Sequence, residues 1–590
     1  MTSCVIGMRY CQEVNVVSEC SSNGVVVLSL LARVWSFDRP IPSRLILLGN
    51  LLWCALTVLS AGCAGCRIPI GVGYPWILAG IIVLTVASFF PGKRVRFRFA
   101  SLLSVALFAI LILRLLWPYL FQKLFVSNYP DTWSYCAFAE YLARFPRGTE
   151  GGLQPLYQYA SHASETRFGT SAILAFFGTF FQTDAAHLLG VYALLLFSNV
   201  FWGVALLLRL LHLKPWLTLC AGALSILSGL IPDTLIVGSL DNLLFLSIAP
   251  HLLVRVILFA RSKSTIRSIG GMAVTSAAAF YAYPEGVALF GVIFLPFLFR
   301  TIWRAWRRGR FLIPVCSVIL VFLTLTGPYL ATFYSFIFTQ VRAGTAGQVQ
   351  IGAGTFPGLV SGRFLPSLFG AGDEFGDHPS FRETIIFSFA CLAFFTVGLF
   401  VQRPRRRDAL LSIVPYAVLI LWQGVILRYD YGLFKVLVTG SFLVIFFIFS
   451  GIQSLGLGLS RRRSIARALF CAVTFLALGY RERSDQRVEL PLRYLPSLKP
   501  YAELEKMASV LGGAPVSLFC SDDFNQEWAI YFLKDYPVEI TRQRGYMAQA
   551  HLLALMQRSK PIAKPAPYLL TDTRQADAIW HNRIFWLIAH

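Results

Sequence analysis

The stretch "FAILILRLLWPYLFQKLFVSNYPDTWSYCAFAEYL", Phe108 to Leu142, decides how the chain is read. Its first half closes an apolar run at 99–120, long enough for the ~20 residues that span a bilayer's hydrocarbon. Its second half sets Asp131 among Tyr129, Trp133 and Tyr135, with a helix predicted through Trp133 to Arg144. The segment therefore reads as a membrane crossing that ends in an acidic, aromatic patch at the water boundary. Arg114, inside the crossing near its outer end, either snorkels outward or faces a cavity and binds a phosphate.

Runs on the same scale recur near 44–64, 72–91, 169–183, 186–208, 215–231, 242–260, 268–284, 286–303, 311–333, 384–401, 409–427, 433–453 and 464–480. Hydrophobic residues make up 56% of the 590, and only 14% are charged, against about 25% in soluble proteins. The chain is a polytopic α-helical membrane protein. Its formal charge of +23 sits in short basic clusters between apolar runs, not on one basic domain, so nucleic acid is not an expected partner.

Those clusters sort the topology, because Lys and Arg concentrate in cytoplasmic loops. They are Lys93 to Arg98, Arg209 with Lys214, Arg261 to Arg267, Arg300 to Arg310, Arg403 to Arg407 and Arg461 to Arg467. All six fall on one side if 169–183 is re-entrant and the other thirteen runs cross. Residues 1–43 then form a cytoplasmic amino-terminal arm, 44–480 the transmembrane domain, and 481–590 an external domain. The expected setting is a bacterial cytoplasmic membrane.

Two external loops stand out, 121–168 and the Gly-rich 335–383. Acids gather on their side, among them Asp131, Glu140, Asp184, Asp241, Glu285 and Asp430. After Tyr480 the composition becomes that of a soluble protein. "PVSLFC", "PYLLTD" and "RIFWLIAH" read as strands, "PYAELEKMASVLG" and "DDFNQEWAIYFLKD" as helices, giving a small α/β domain. Twelve cysteines are scattered, and the close pair Cys63 and Cys66 lacks the partners of a zinc site.

Asp131 is either a helix cap or a general base, since a partly desolvated carboxylate at the boundary has a raised pKa. Trp133 and Tyr135 are interfacial anchors that also offer a sugar ring a stacking surface. "LRYDYGLFK" places Arg428 and Lys435 at the opening of a crossing, where cations can grip a lipid phosphate. Lys435 lies several residues into the span, which raises its cost and hence its functional weight. Arg342 and Arg363, in the Gly-rich loop, are softer phosphate candidates. Asp241 and Glu285 are acids at outer helix ends, read as caps or as acceptor-binding carboxylates. Asp373, Glu374, Asp377 and His378 could hold a divalent cation, or form a solvated turn.

An acid in the first long external loop, many crossings and a carboxyl-terminal external domain together resemble the GT-C superfamily of membrane glycosyltransferases. The resemblance implies a polyprenyl-phosphate sugar donor, a glycan, lipid or protein acceptor of the cell envelope, inverting transfer, and Asp131 as catalytic base. The chain differs from the common pattern in having two crossings before the one that precedes Asp131, and in lacking an adjacent acidic pair. Two other classes fit the architecture: a transporter or flippase of lipid-linked saccharides, and a non-catalytic envelope-assembly protein. A transporter predicts ionisable residues near the bilayer midplane and paired broken helices. The acids here cluster at one face instead.

Overall fold

The computed structural model describes residues 43–89, 130–149, 154–163, 167–227, 230–261, 266–307, 312–345, 355–360, 367–369, 381–400, 406–454, 497–540 and 566–589. The amino-terminal arm, the runs at 99–120 and 464–480, Arg114, Arg363 and the acids at 373–377 with His378 lie outside these residues.

The bundle begins with α1 (Ser43–Gly65) and α2 (Ile70–Phe89), and continues after residue 129 with α3 (Pro130–Arg144) and α4 (Pro155–Ala163). Then come α5 (Gly169–Phe181), α6 (Ala185–Leu210), α7 (Pro215–Leu227), α8 (Leu230–Ile236), α9 (Leu240–Arg261), α10 (Ile266–Ala282), α11 (Pro284–Trp306) and α12 (Leu312–Thr345). The bundle closes with α13 (Phe381–Phe400), α14 (Arg406–Leu421, ending in a π turn at Trp422–Ile426) and α15 (Asp430–Ser454).

Among the described residues, eight helical stretches are long and apolar enough to cross a membrane: α1, α6, α7 with α8, α9, α11, α12, α14 and α15. The runs at 72–91, 169–183 and 384–401 contain shorter apolar helices, and 268–284 falls on the 17-residue α10. Helix α12 continues eleven residues into the stretch expected to open the Gly-rich loop. "SFIFTQVR" carries no breaker, so the helix persists until the first glycines.

Helix α5 has 13 residues, too short for the ~30 Å hydrocarbon layer at 1.5 Å per residue. Both its flanks sit at one end of the bundle: Arg167, before it, pairs with Asp241 at the start of α9, and Asp184, after it, pairs with the carboxyl-terminal domain. Helix α3 packs alongside it, so these two polar-flanked helices form a shelf on that end.

Within the bundle, α15 is almost wholly buried and lies closest to α13. Their crossing depends on Gly398 and Gly451: a Cβ on either would meet the other helix's backbone, at 1.9 Å from the carbonyl oxygen of Phe447 or Phe394. Small residues that let backbones touch are how helices associate in lipid, where apolar burial supplies no driving force between them.

The carboxyl-terminal domain has α16 (Lys499–Ala502), α17 (Leu504–Leu511), β1 (Val516–Phe519), α18 (Asp523–Phe532), β2 (Val538–Ile540), β3 (Tyr568–Thr571), β4 (Trp580–His581) and β5 (Trp586–Ala589). The strand order is β2-β1-β3-β5-β4. β1 pairs in parallel with β2 and β3, and β5 is antiparallel to β3 and β4. Parallel β1 and β2 need a crossover, which α18 provides. Asp522 caps α18 by accepting from the Phe524 amide, and Asp572 accepts from the Ser521 and Asp522 amides beside it. A hydrophobic core of Leu504, Met507, Val516, Leu518, Trp528 and Leu587 fills the space between helices and sheet.

Candidate active site

The first turns of α9, α11 and α15 open at the same end of the bundle, and the first turn of α3 lies against them. Each contributes a charged or phenolic side chain. Asp241 begins α9, Glu285 begins α11, Tyr431 and Lys435 lie in the first turns of α15, and Asp131 and Tyr135 belong to α3. Arg167 enters from the segment before α5 and ties them together. Its guanidinium is 2.5 Å from Asp241 and 3.9 Å from Glu285. It also lies 5.2 Å from the ring centroid of Tyr283.

Lys435 takes the other side of the cluster. Its ammonium sits 4.4 Å from the Tyr431 ring and 5.4 Å from that same Tyr283 ring. Its contacts among the described residues are with aromatic rings rather than a bonded carboxylate, so its positive charge is available to an anion. Tyr431 is tethered to the start of α9 through Ser239, at 3.3 Å. Phe356, from the Gly-rich region, stacks on Phe434 at 4.0 Å, and its amide donates to Asp430 at 2.6 Å. One point of that region is thus pinned to the opening of α15.

Asp131 is exposed by accessible surface although neighbouring helices crowd it closely; the accessible area governs whether a substrate can reach it. Crowding raises its carboxyl from 3.8 to about 6. Asp241 adds to the rise, while Arg167 and Lys435 oppose it. Tyr135 shares this environment, facing Asp241 and Asp131. The arrangement offers a near-neutral base, an anion-seeking cation, a carboxylate-braced arginine and aromatic side chains, gathered at one end of the bundle.

Of the residues singled out in the sequence, Asp131, Tyr135, Asp241, Glu285 and Lys435 come together here. Trp133 does not. It is 1% exposed, and its indole N–H donates to the Glu527 carbonyl at 2.6 Å. It is buried under the carboxyl-terminal domain and presents no face to a sugar. The reason is helical geometry: two residues along α3 is a rotation of about 200°, so Trp133 points away from Asp131 while Tyr135 returns to its side. Arg428 is also apart from the cluster. It is exposed in the turn before α15, with φ of 49°, and no described contact joins it to the site. Arg342 lies in the last turns of α12, not in a loop.

Arg167 and Tyr283 escaped the sequence reading as site residues, whereas Tyr431 belongs to the aromatic and basic "LRYDYGLFK" opening read there as a grip on a lipid phosphate. Arg167 follows a polar loop and looks like any solvated arginine, and nothing local marks its pairing with an acid 74 positions on. Among the described residues, no group of three or more His, Cys, Asp or Glu side chains could hold a metal ion. The carboxylates of Asp241 and Glu285 engage Arg167 instead.

No protein-family profile matches the chain, and no curated protein matches it. Among solved structures, it is similar to arabinofuranosyltransferase AftD from Mycobacteria at 15% identity and a TM-score of 0.47, over 74% of this chain and 32% of that one. A mutant form of AftD is matched at 13% identity and a TM-score of 0.48, over 80% and 37% of the two chains. The chain spans about a third of the length of those AftD chains.

Proposed function

We propose that this chain is an integral membrane glycosyltransferase of the GT-C type, moving a sugar from a polyprenyl-phosphate donor to a cell-envelope acceptor on the external face. The observation that carries the reading is the placement of Asp131, a carboxylate raised to about 6, within electrostatic reach of Lys435, whose own contacts are aromatic. A base for a hydroxyl and a cation for a phosphate, at the mouth of a membrane bundle, match the needs of transfer from a lipid phosphate.

In this reading the acceptor hydroxyl loses its proton to Asp131 as its oxygen bonds to the anomeric carbon. The bond from that carbon to the phosphate oxygen breaks, and the lipid phosphate leaves with the electron pair. Attack opposite the leaving group inverts the anomeric centre. Lys435, with Arg167 behind it, stabilises the departing negative charge. Tyr135, Tyr283 and Tyr431 wall the sugar, and the free Oε2 of Glu285 can accept from one of its hydroxyls.

The test is a transfer assay with purified protein in lipid and a panel of polyprenyl-phosphate sugars. Wild type forms a glycosylated product, and Asp131→Asn loses about 10²–10⁴ of the rate, the usual share of a general base. The base must be ionised, so the wild-type rate falls as pH drops through about 6. Full transfer by a folded Asp131→Asn overturns the assignment. Saccharide flux into liposomes with no covalent product points to a transporter instead.

A further inference from the structure

The face of α3 turned away from Asp131 is bonded to the carboxyl-terminal domain at successive turns. Trp133 donates to the Glu527 carbonyl, Tyr531 donates to Glu140 Oε1 at 2.9 Å, and Arg144 pairs with Asp535. The partners rise in the same order along both segments, so α3 and α18 run side by side in the same direction. Residues 133, 140 and 144 fall within about 40° of one another on α3, on the side opposite Asp131 and Tyr135.

Glu140 and Tyr531 also reach a third element. Glu140 Oε1 accepts from the Ala185 amide at 3.0 Å, and the Tyr531 hydroxyl accepts from the Ala186 amide at 3.2 Å. These are the first two amides of α6, which have no partner within their own helix. The residue at the cap position, Asp184, makes no side-chain cap; its carboxylate holds Lys534 at 2.6 Å. The start of α6 is therefore capped in trans, by one residue of α3 and one of the carboxyl-terminal domain, 391 positions apart. The pair is buried: Glu140 is 8% exposed and Tyr531 0%.

The geometry points to Glu140 and Tyr531 as positioning residues that set where Asp131 stands, making the carboxyl-terminal domain a splint for the site helix. Helix α3 has 15 residues, does not cross the membrane and begins with Asp131 in its first turn. Its orientation is fixed by what grips its other face. The inference rests on the proposed role of Asp131 for its functional consequence, and on contacts alone for its structural one.

The experiment compares Tyr531→Phe, Glu140→Leu and Glu140→Gln, each in the full chain, by amide hydrogen exchange and by transfer kinetics. Removing the Tyr531 hydroxyl strands the Ala186 amide and leaves Glu140 Oε1 with one donor of its two, so exchange of the α3 amides rises by about tenfold while α15 is unchanged. Glu140→Leu behaves the same way, and Glu140→Gln, which keeps the acceptor oxygen, stays near wild type. In transfer, Tyr531→Phe lowers kcat by about tenfold with KM for the donor unchanged. Wild-type protection of α3 in Tyr531→Phe overturns the splint. A kcat loss in Glu140→Gln equal to that in Glu140→Leu also overturns it, since the acceptor geometry would not be what matters. If the wild-type chain transfers no sugar, the function reading fails while the exchange experiment still decides the splint.

Discussion

The two faces of α3 are built from different chemistry although they alternate along fifteen residues. One carries Asp131 and Tyr135 into a cluster of opposed charges and phenols, of which Asp131 is exposed and Tyr135 and Asp241 are buried. The other carries Trp133, Glu140 and Arg144 into hydrogen bonds with a folded domain. The first face is electrostatically loaded, with carboxylates at the starts of three helices around two cations. The second is bonded, with Trp133, Glu140 and Arg144 each given a partner in the carboxyl-terminal domain. A short helix can serve both because neither face needs lipid.

Breaking this division at Arg167 has the largest expected effect on stability. Arg167→Met leaves Asp241, which is 3% exposed, without its counter-ion. The loss is about 2–4 kcal/mol, below that of a fully buried pair because Arg167 itself is about a third exposed. Thermal unfolding of the purified protein measures it, and an unchanged midpoint would show that Asp241 does not depend on the pair. Lys435→Met removes the cation without stranding a bonded acid, so the fold is retained. Donor affinity then falls roughly 10–100-fold, the weight of a charged hydrogen bond. Equal donor binding by the variant would remove Lys435 from the phosphate role. The smallest effect is at Trp133→Phe, which keeps the ring and loses one hydrogen bond, costing about 1 kcal/mol of stability. Acceptor KM should not change, because the indole is under the carboxyl-terminal domain; a raised KM would return Trp133 to the sugar-binding face.

Much of the membrane architecture was legible along the chain. Lipid demands long uninterrupted apolar helices, and that demand writes itself into consecutive residues, as in α6, α9 and α15. The strands at 516–519, 568–571 and 586–589 were equally visible, as short apolar runs between turn residues. β2 and β4 were not, since "VEI" and "WH" are too short to show an alternation. For the site, Asp241, Glu285 and Lys435 announced themselves because a charge at the end of an apolar span is conspicuous. Trp133 misled for a related reason: aromatics at a membrane boundary look alike in sequence, whichever way the helix turns them.

By itself, the sequence determined that this is a many-helix membrane chain with a small α/β domain after it, and that its acids sit at helix ends. Hydropathy, helix length and turn chemistry are local, so they can be read locally. Only the tertiary structure decided that Arg167 braces Asp241 and Glu285, that Trp133 faces away from Asp131, and that Tyr531 shares the capping of α6 with Glu140. Those contacts join segments tens to hundreds of residues apart. Their geometry follows from which faces pack together, and no local pattern of residues records that.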